Sequence, residues 1–135
     1  MSKAQSYLPA LGRLLLAAIF VLSGFSKLTA SEGTIGYIAS AGLPLPEVAY
    51  AVAVAVELVG GLLLIVGFQT RWVAAAIAGF TLAAAFGFHN NFADQNQMIH
   101  FMKNIAIVGG LLQVVAFGAG AFSLDNRRAK VAALA

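Results

Sequence analysis

The segment Val48–Phe68 reads VAYAVAVAVELVGGLLLIVGF, and it decides the fold of this chain. As an α-helix rising about 1.5 Å per residue, it is long enough to cross the ~30 Å hydrocarbon core of a bilayer. The alternating Ala and Val residues before Glu57 are typical of a strand, but in lipid only a helix satisfies the backbone of such a segment internally. Glu57 lies near the middle, where an unpaired charge is costly, so we expect it to have a partner.

The whole chain has the composition of an integral membrane protein. Of its 135 residues, 61% are hydrophobic and 10% are charged, too few to cover the exterior of a soluble domain. The apolar stretches predict four membrane-spanning helices, roughly at residues 8–27, 47–67, 71–89 and 98–120. We therefore predict an all-α, integral membrane, four-helix antiparallel bundle that forms a single domain over residues 1–135. A cleaved signal peptide is the less favoured interpretation of the first stretch, because Arg13 interrupts its apolar core.

The basic residues predict the orientation of the bundle. Four helices place both termini on one side of the membrane, together with most of the basic residues: Lys3, Arg13, Arg71, Arg127, Arg128 and Lys130. The other side receives only Lys27 and Lys103. The positive-inside rule then predicts that both termini are cytoplasmic, with Arg13 and Arg71 as cytoplasmic-side charges. The basic tail is interpreted first as an orientation signal and second as a contact for anionic lipid.

Polar residues near the predicted outer ends of the helices form a candidate site. Glu57 lies ~13 Å below the outer start of its helix, and Lys103 lies ~6–8 Å deep from the same side. Lys103 is the preferred partner of Glu57, and Lys27 at the end of the first helix is the second. We predict an outward-facing polar pocket or buried polar cluster made by these residues: Ser23, Lys27, Glu57, His100, Lys103 and Asn104.

Two interpretations of this cluster stay open. A buried ion pair can fix the register of neighbouring helices without any further role. Alternatively, the charged groups form a site for a ligand or for protons, which is the usual hypothesis for ionisable residues inside a membrane. A continuous proton pathway is less favoured, because no second acid lies deep in the membrane to extend it from Glu57.

No metal site is predicted. The chain has no cysteine, and its only imidazoles are His89 and His100, so bis-histidine haem would need both. Met98 and Met102 lie one turn apart and resemble soft copper ligands, but methionines at that spacing are more often apolar packing.

Two other patterns concern packing and the bundle mouth. Four small residues recur at four-residue spacing in the third helix: Ala75, Gly79, Ala83 and Gly87. We interpret this stripe as dense packing within one chain, with a dimer face as the minority interpretation.

The longest connection, residues 29–45, predicts a short helix with Ile35 and Ile38 on one face, which lies either on the membrane surface or over the bundle mouth.

Four stretches in order resemble the DoxX family of small four-helix bacterial inner-membrane proteins. They are RLLLAAIFVLSGFSK at 13–27, ELVGGLLLIVG at 57–67, FHNNF at 88–92 and FMKNIAIVGGL at 101–111. The resemblance covers nearly the whole chain and places motif residues at Arg13, Ser23, Gly24, Lys27, Glu57, Lys103 and Asn104. It implies a location in the bacterial inner membrane and an association with redox chemistry, but no settled reaction.

The residues and the resemblance together suggest a redox-associated protein that binds a quinone-like or other small apolar ligand. Its partners would be the lipid bilayer, a membrane or periplasmic redox protein and further copies of itself, with no nucleic acid. The alternative is a non-catalytic structural or partner subunit of a membrane complex, in which Glu57 and Lys103 form a helix-registering ion pair.

Overall fold

The computed structural model describes residues 1–135 as an all-helical protein. Its elements are α1 (Lys3–Thr29), α2 (Ser31–Ser40), α3 (Pro46–Val66), α4 (Thr70–Phe88), α5 (Gln95–Phe117) and α6 (Leu124–Ala132). Four of them, α1, α3, α4 and α5, are long and apolar enough to cross a membrane by length and composition. The predictions of an all-α fold and of four membrane-spanning helices are confirmed.

Polar caps extend two of these helices beyond the apolar stretches. The Ser2 side chain accepts a hydrogen bond from the backbone of Gln5, so α1 already begins at Lys3 rather than near residue 8. The Asp94 carboxylate caps α5 in the same way by accepting from the backbone of Gln97, and α5 begins at Gln95 rather than near residue 98. Hydropathy alone underestimates the length of helices whose first turn is polar.

The helices pack as two antiparallel pairs. α1 packs on α3 and α4 packs on α5 to a similar extent, and the middle of α3 also contacts α4. The turn between α3 and α4 begins at Gly67, whose φ of +71° gives a left-handed helix end that favours glycine. The Tyr7 ring stacks on Phe122 with centroids 4.7 Å apart, so segments near both termini meet at one end of the bundle, called the terminal end below.

The outside of the bundle is apolar, as a lipid-facing surface requires. Large hydrophobic side chains such as Leu15 and Phe86 are exposed, whereas the core contains Ala17, Leu64 and Leu111. Because lipid tails are as apolar as these side chains, close packing rather than exclusion from water must hold the helices together.

Only the end of the small-residue stripe of α4 packs within the chain, where the half-buried Gly87 lies next to Leu43, so the prediction of dense packing along the whole stripe was wrong. Ala75, Gly79 and Ala83 are exposed, and a Cβ on Gly79 would meet nothing within 4 Å. The buried face of α4 instead contains Ala74, Ile77, Ala78, Thr81 and Ala85. Spacing defines a stripe of small residues, but it does not say which way that stripe faces.

Arg13 is the most buried charged residue of the terminal end, with 1% of its surface exposed. Its guanidinium donates hydrogen bonds to carbonyls in the last turn of α3 and in the segment before α6: Leu64, Ile65, Ala119 and Phe122. The last-turn carbonyls of α3 have no partner within their helix, and they also form its negative dipole end. Arg13 was predicted as a cytoplasmic-side charge, and the structure gives it this internal role between α1, α3 and the chain after α5.

Candidate functional site

An ion pair joins α1 to α3 in the half of the bundle away from the terminal end. Lys27 Nζ lies 2.8 Å from Glu57 Oε2, and the Glu57 side chain is 9% exposed whereas that of Lys27 is 26% exposed. Ser23 lies one turn before Lys27, accepts a hydrogen bond from Lys27 Nζ at 2.8 Å and donates one to Glu57 Oε1 at 3.3 Å. The three side chains therefore form a closed polar triangle.

The preferred partner of Glu57 predicted from the sequence was wrong. The depth argument favoured Lys103, but Lys103 is exposed and Lys27 forms the pair instead. Depth along a helix fixes one coordinate only, and the direction in which a side chain points depends on how each helix is rotated in the bundle.

The backbone of α3 departs from an α-helix around Glu57. Residues Ala55–Gly60 form a π-helical turn between two α-helical parts of α3. Gly24 of α1 lies against Leu58 within this turn, where a Cβ on Gly24 would be 2.8 Å from the Leu58 nitrogen. Single π-turns are rare in proteins and are frequently found at functional sites. Nothing in the spacing of apolar residues along α3 indicated this turn.

A cavity of about 430 Å³ adjoins the ion pair. This volume is within the ~300–1,000 Å³ range of small-molecule sites. Twelve of its eighteen lining residues are hydrophobic, and the polar ones include Ser23, Lys27, Glu57, His89 and Asn104. The arrangement of an apolar chamber with a few convergent polar groups is typical of a ligand-binding site.

Small residues on one face of α3 create this space. Ala49, Ala53 and Glu57 follow one another at four-residue spacing, so they lie on the same face, and all three line the cavity. The two alanines leave the volume above the carboxylate unfilled. This spacing was available in the sequence and could have indicated a chamber next to Glu57.

Helix α2 covers the cavity. Thr34, Tyr37 and Ile38 line it, and Ile38 is 5% exposed. The Tyr37 ring stacks on Phe88 of α4 with centroids 5.3 Å apart. Of the two positions predicted for this helix, the structure therefore has the one over the bundle mouth.

The other predicted site residues divide into two groups. Asn104 lines the cavity, whereas His100 and Lys103 are exposed and do not line it. His89, which was not among the predicted site residues, lines the cavity and accepts or donates a hydrogen bond with Gln97 at 3.2 Å. Its ring stacks on His100 with centroids 5.0 Å apart. His100 thus belongs to the rim of the site through His89.

The sequence model of the DoxX family matches residues 8–90, which is more than half of the chain. The chain belongs to the DoxX family. Two relatives cover almost all of this DoxX-family chain. Inner membrane protein YqjF of Escherichia coli (strain K12) is 39% identical over 129 residues, which are 93% of this chain and 95% of that protein. Inner membrane protein YphA of the same organism is 36% identical over 129 residues, 92% of each chain.

A third relative covers about half of the chain. The protein named "Putative oxidoreductase CatD" of Bacillus subtilis (strain 168) is 42% identical over 66 residues, which are 49% of this chain and 48% of that protein. No solved structure matches the chain significantly. With its four membrane-capable helices, this DoxX-family chain is an inner membrane protein.

Proposed function

We propose that the cavity beside Glu57 binds a small, mainly apolar ligand that carries a hydrogen-bond-accepting head group, with quinones as the favoured class. The observation that carries this proposal is the combination of a 430 Å³ cavity and a buried Lys27–Glu57 pair at its wall. The ligand's apolar body would lie against the hydrophobic lining, and its carbonyl oxygen would accept a hydrogen bond from Lys27.

Lys27 is the residue best suited to hold such a head group. An ammonium has three N–H donors, and in Lys27 one goes to Ser23 while the charge is balanced by Glu57. A further donor is therefore available to a carbonyl oxygen in the cavity without removing the balancing carboxylate. The π-turn at Ala55–Gly60 supports a functional role for this region as well.

The redox association is supported by the resemblance to CatD over half of the chain. If the positive-inside rule holds, the cavity lies in the outer half of the membrane, because the terminal end has most of the basic residues. A membrane or periplasmic redox partner remains a prediction, as does association with further copies of the chain.

Equilibrium binding of decylubiquinone to the purified, detergent-solubilised protein tests the proposal. We expect saturable binding to the wild type and, for Lys27→Met, a loss of affinity of roughly tenfold or more, because a hydrogen bond to a charged donor is removed. Lys103→Met is the matched control, since it removes an exposed lysine that does not line the cavity. Its affinity is expected to equal that of the wild type.

Mass spectrometry of lipids extracted from the purified protein provides a second readout. We expect a quinone or another apolar small molecule to be retained by the wild type and lost from Lys27→Met. Absence of any retained ligand together with absence of saturable quinone binding would overturn the proposal. In that case, the alternative function would remain, a structural subunit in which Lys27 and Glu57 form the helix-registering ion pair.

A further inference from the structure

Exposed basic residues gather at the terminal end of the bundle. They are Lys3, Arg71, Arg127, Arg128 and Lys130, from α1, α4 and α6. The only acidic residue at this end is Asp125, and its carboxylate already accepts hydrogen bonds from the backbone of Gln69 and Thr70. The remaining acids of the chain all lie in the other half. The terminal end therefore has an uncompensated positive charge.

Helix α6 begins at the level where the membrane-spanning helices end. Asp125, in its first turn, is bonded to the first residue of α4, and the backbone N–H of Asp125 donates to Gly67 O at 2.9 Å. The Asn126 side chain donates to Ala121 O. Helix α6 therefore starts beside the ends of two helices that can cross a membrane, Phe117 of α5 and Thr70 of α4.

One side of α6 combines apolar and basic residues. Leu124 and Val131 lie two turns apart on one face and are 41% and 64% exposed. Arg127 and Arg128 lie three and four residues after Leu124, so they flank this apolar strip. An apolar strip bordered by arginines is typical of a helix that lies in the membrane interface.

Aromatic residues at the same end support this location. Trp72 follows Arg71 in the first turn of α4 and is 78% exposed, and Phe122 just before α6 is 51% exposed. Tryptophan is enriched at the level of the lipid headgroups because its ring is apolar and its N–H is polar.

We propose that the basic surface formed by Arg71, Trp72, Arg127, Arg128 and Lys130 binds anionic phospholipid headgroups, and that α6 lies along the membrane surface. Charge complementarity identifies the occupant, since its four cations, Arg71, Arg127, Arg128 and Lys130, match a surface of phosphate groups. The Leu124–Val131 strip then lies against the acyl chains rather than in water. This inference rests on neither the cavity nor the side of the membrane that the terminal end faces.

A spin label on α6 tests the proposal directly, because the chain has no cysteine of its own. Val131→Cys carries the label, and the protein is reconstituted in phosphatidylcholine vesicles with or without phosphatidylglycerol. With phosphatidylglycerol, we expect the label to be accessible to oxygen and shielded from a water-soluble nickel chelate. In phosphatidylcholine alone, we expect greater access of the chelate.

Charge neutralisation shows which residues cause this difference. Each Lys or Arg near an anionic membrane surface strengthens the binding of the protein segment to that surface about fivefold. Arg127→Gln should therefore lower the preference of α6 for phosphatidylglycerol over phosphatidylcholine by about that factor. Lys103→Gln, a single neutralisation at the other end, should leave the preference unchanged. Equal chelate access in both vesicle types, or equal effects of the two neutralisations, would overturn the proposal. Since α6 lies outside the four-helix core and Lys103 is exposed on α5, these variants are expected to fold.

Discussion

Gly24 of α1 lies so close to Leu58 of α3 that a side chain at position 24 would have no room between the two helices. A Cβ on Gly24 would be 2.8 Å from the Leu58 nitrogen and 2.9 Å from its Cβ. Each of these residues directly follows a member of the polar triangle, Ser23 on α1 and Glu57 on α3. The close approach therefore sets the distance across which the side chains of α1 reach the buried carboxylate.

Gly24→Ala is expected to destabilise the protein and to separate the ion pair. Overpacking of this kind costs about 1–3 kcal/mol, and the contact includes backbone atoms that have little freedom to move. The measurement is the thermal midpoint of the detergent-solubilised protein. Gly12→Ala is the matched control on the same helix, because a Cβ there meets nothing within 4 Å. A Gly24→Ala midpoint equal to that of Gly12→Ala would contradict the close contact.

We expect the two single variants of the ion pair to lower the free energy of unfolding by unequal amounts. Lys27→Met leaves a carboxylate that is 9% exposed without its counter-charge, whereas Glu57→Gln leaves a lysine that is 26% exposed and closer to water. Losing one partner of a buried pair costs about 3–5 kcal/mol, and we expect Lys27→Met to approach that range and Glu57→Gln to cost less.

The double variant Lys27→Met/Glu57→Gln should be more stable than the sum of the single effects predicts, because no charge is then left unpaired. Denaturation curves of the four proteins measure this coupling. Strict additivity would show that the two side chains do not interact in the membrane.

Arg13 is expected to be irreplaceable by lysine. Its planar guanidinium donates to four carbonyls on α3 and on the segment before α6, and an ammonium at the end of a lysine stem has no matching fork geometry. Each buried carbonyl left without a donor costs about 1–3 kcal/mol. We expect Arg13→Lys to lower the thermal midpoint clearly and Arg71→Lys, at an exposed arginine with one such bond, to leave it nearly unchanged. Equal midpoints for the two variants would argue against the carbonyl network.

The hydrogen bonds that Asp125 accepts at the start of α4 predict a pH-dependent step in the attachment of α6 to α4. Burial alone would raise the pKa of Asp125, but hydrogen bonds from Thr70 and Gln69 and the charge of Arg128 outweigh it, so the pKa is lowered from its ordinary value of 3.8. A carboxyl group with a lowered pKa stabilises the fold above its unfolded pKa, and this contribution is lost as the pH falls through the folded value.

We therefore expect α6 to detach from α4 only below about pH 3.8, which protease sensitivity of the C-terminal segment would detect. Asp125→Asn should weaken the attachment above that pH and remove the step below it. Asp94→Asn, which alters the cap of α5 instead, should retain the step. Persistence of the step in Asp125→Asn would assign it to another acid.

The candidate site was only partly predictable from the sequence. Ser23, Lys27 and Glu57 were expected in one cluster, and the structure brings them together. Lys103 and His100 were expected with them because they have similar depth, but both are exposed and do not line the cavity, which His100 adjoins only by stacking on His89. Depth follows from residue number and helical rise, whereas direction depends on the rotation of each helix, which a single sequence does not contain.

The sequence by itself determined that the chain crosses the membrane four times and that the carboxylate of Glu57 needs a partner. Both follow from the energetic cost of placing backbone or charge in lipid, which depends on each segment alone. Only the tertiary structure decided that Lys27 is the partner, that Arg13 joins helix ends and that a cavity lies above Glu57. These features depend on close contacts such as Gly24 with Leu58, where two helices distant in sequence share the same space.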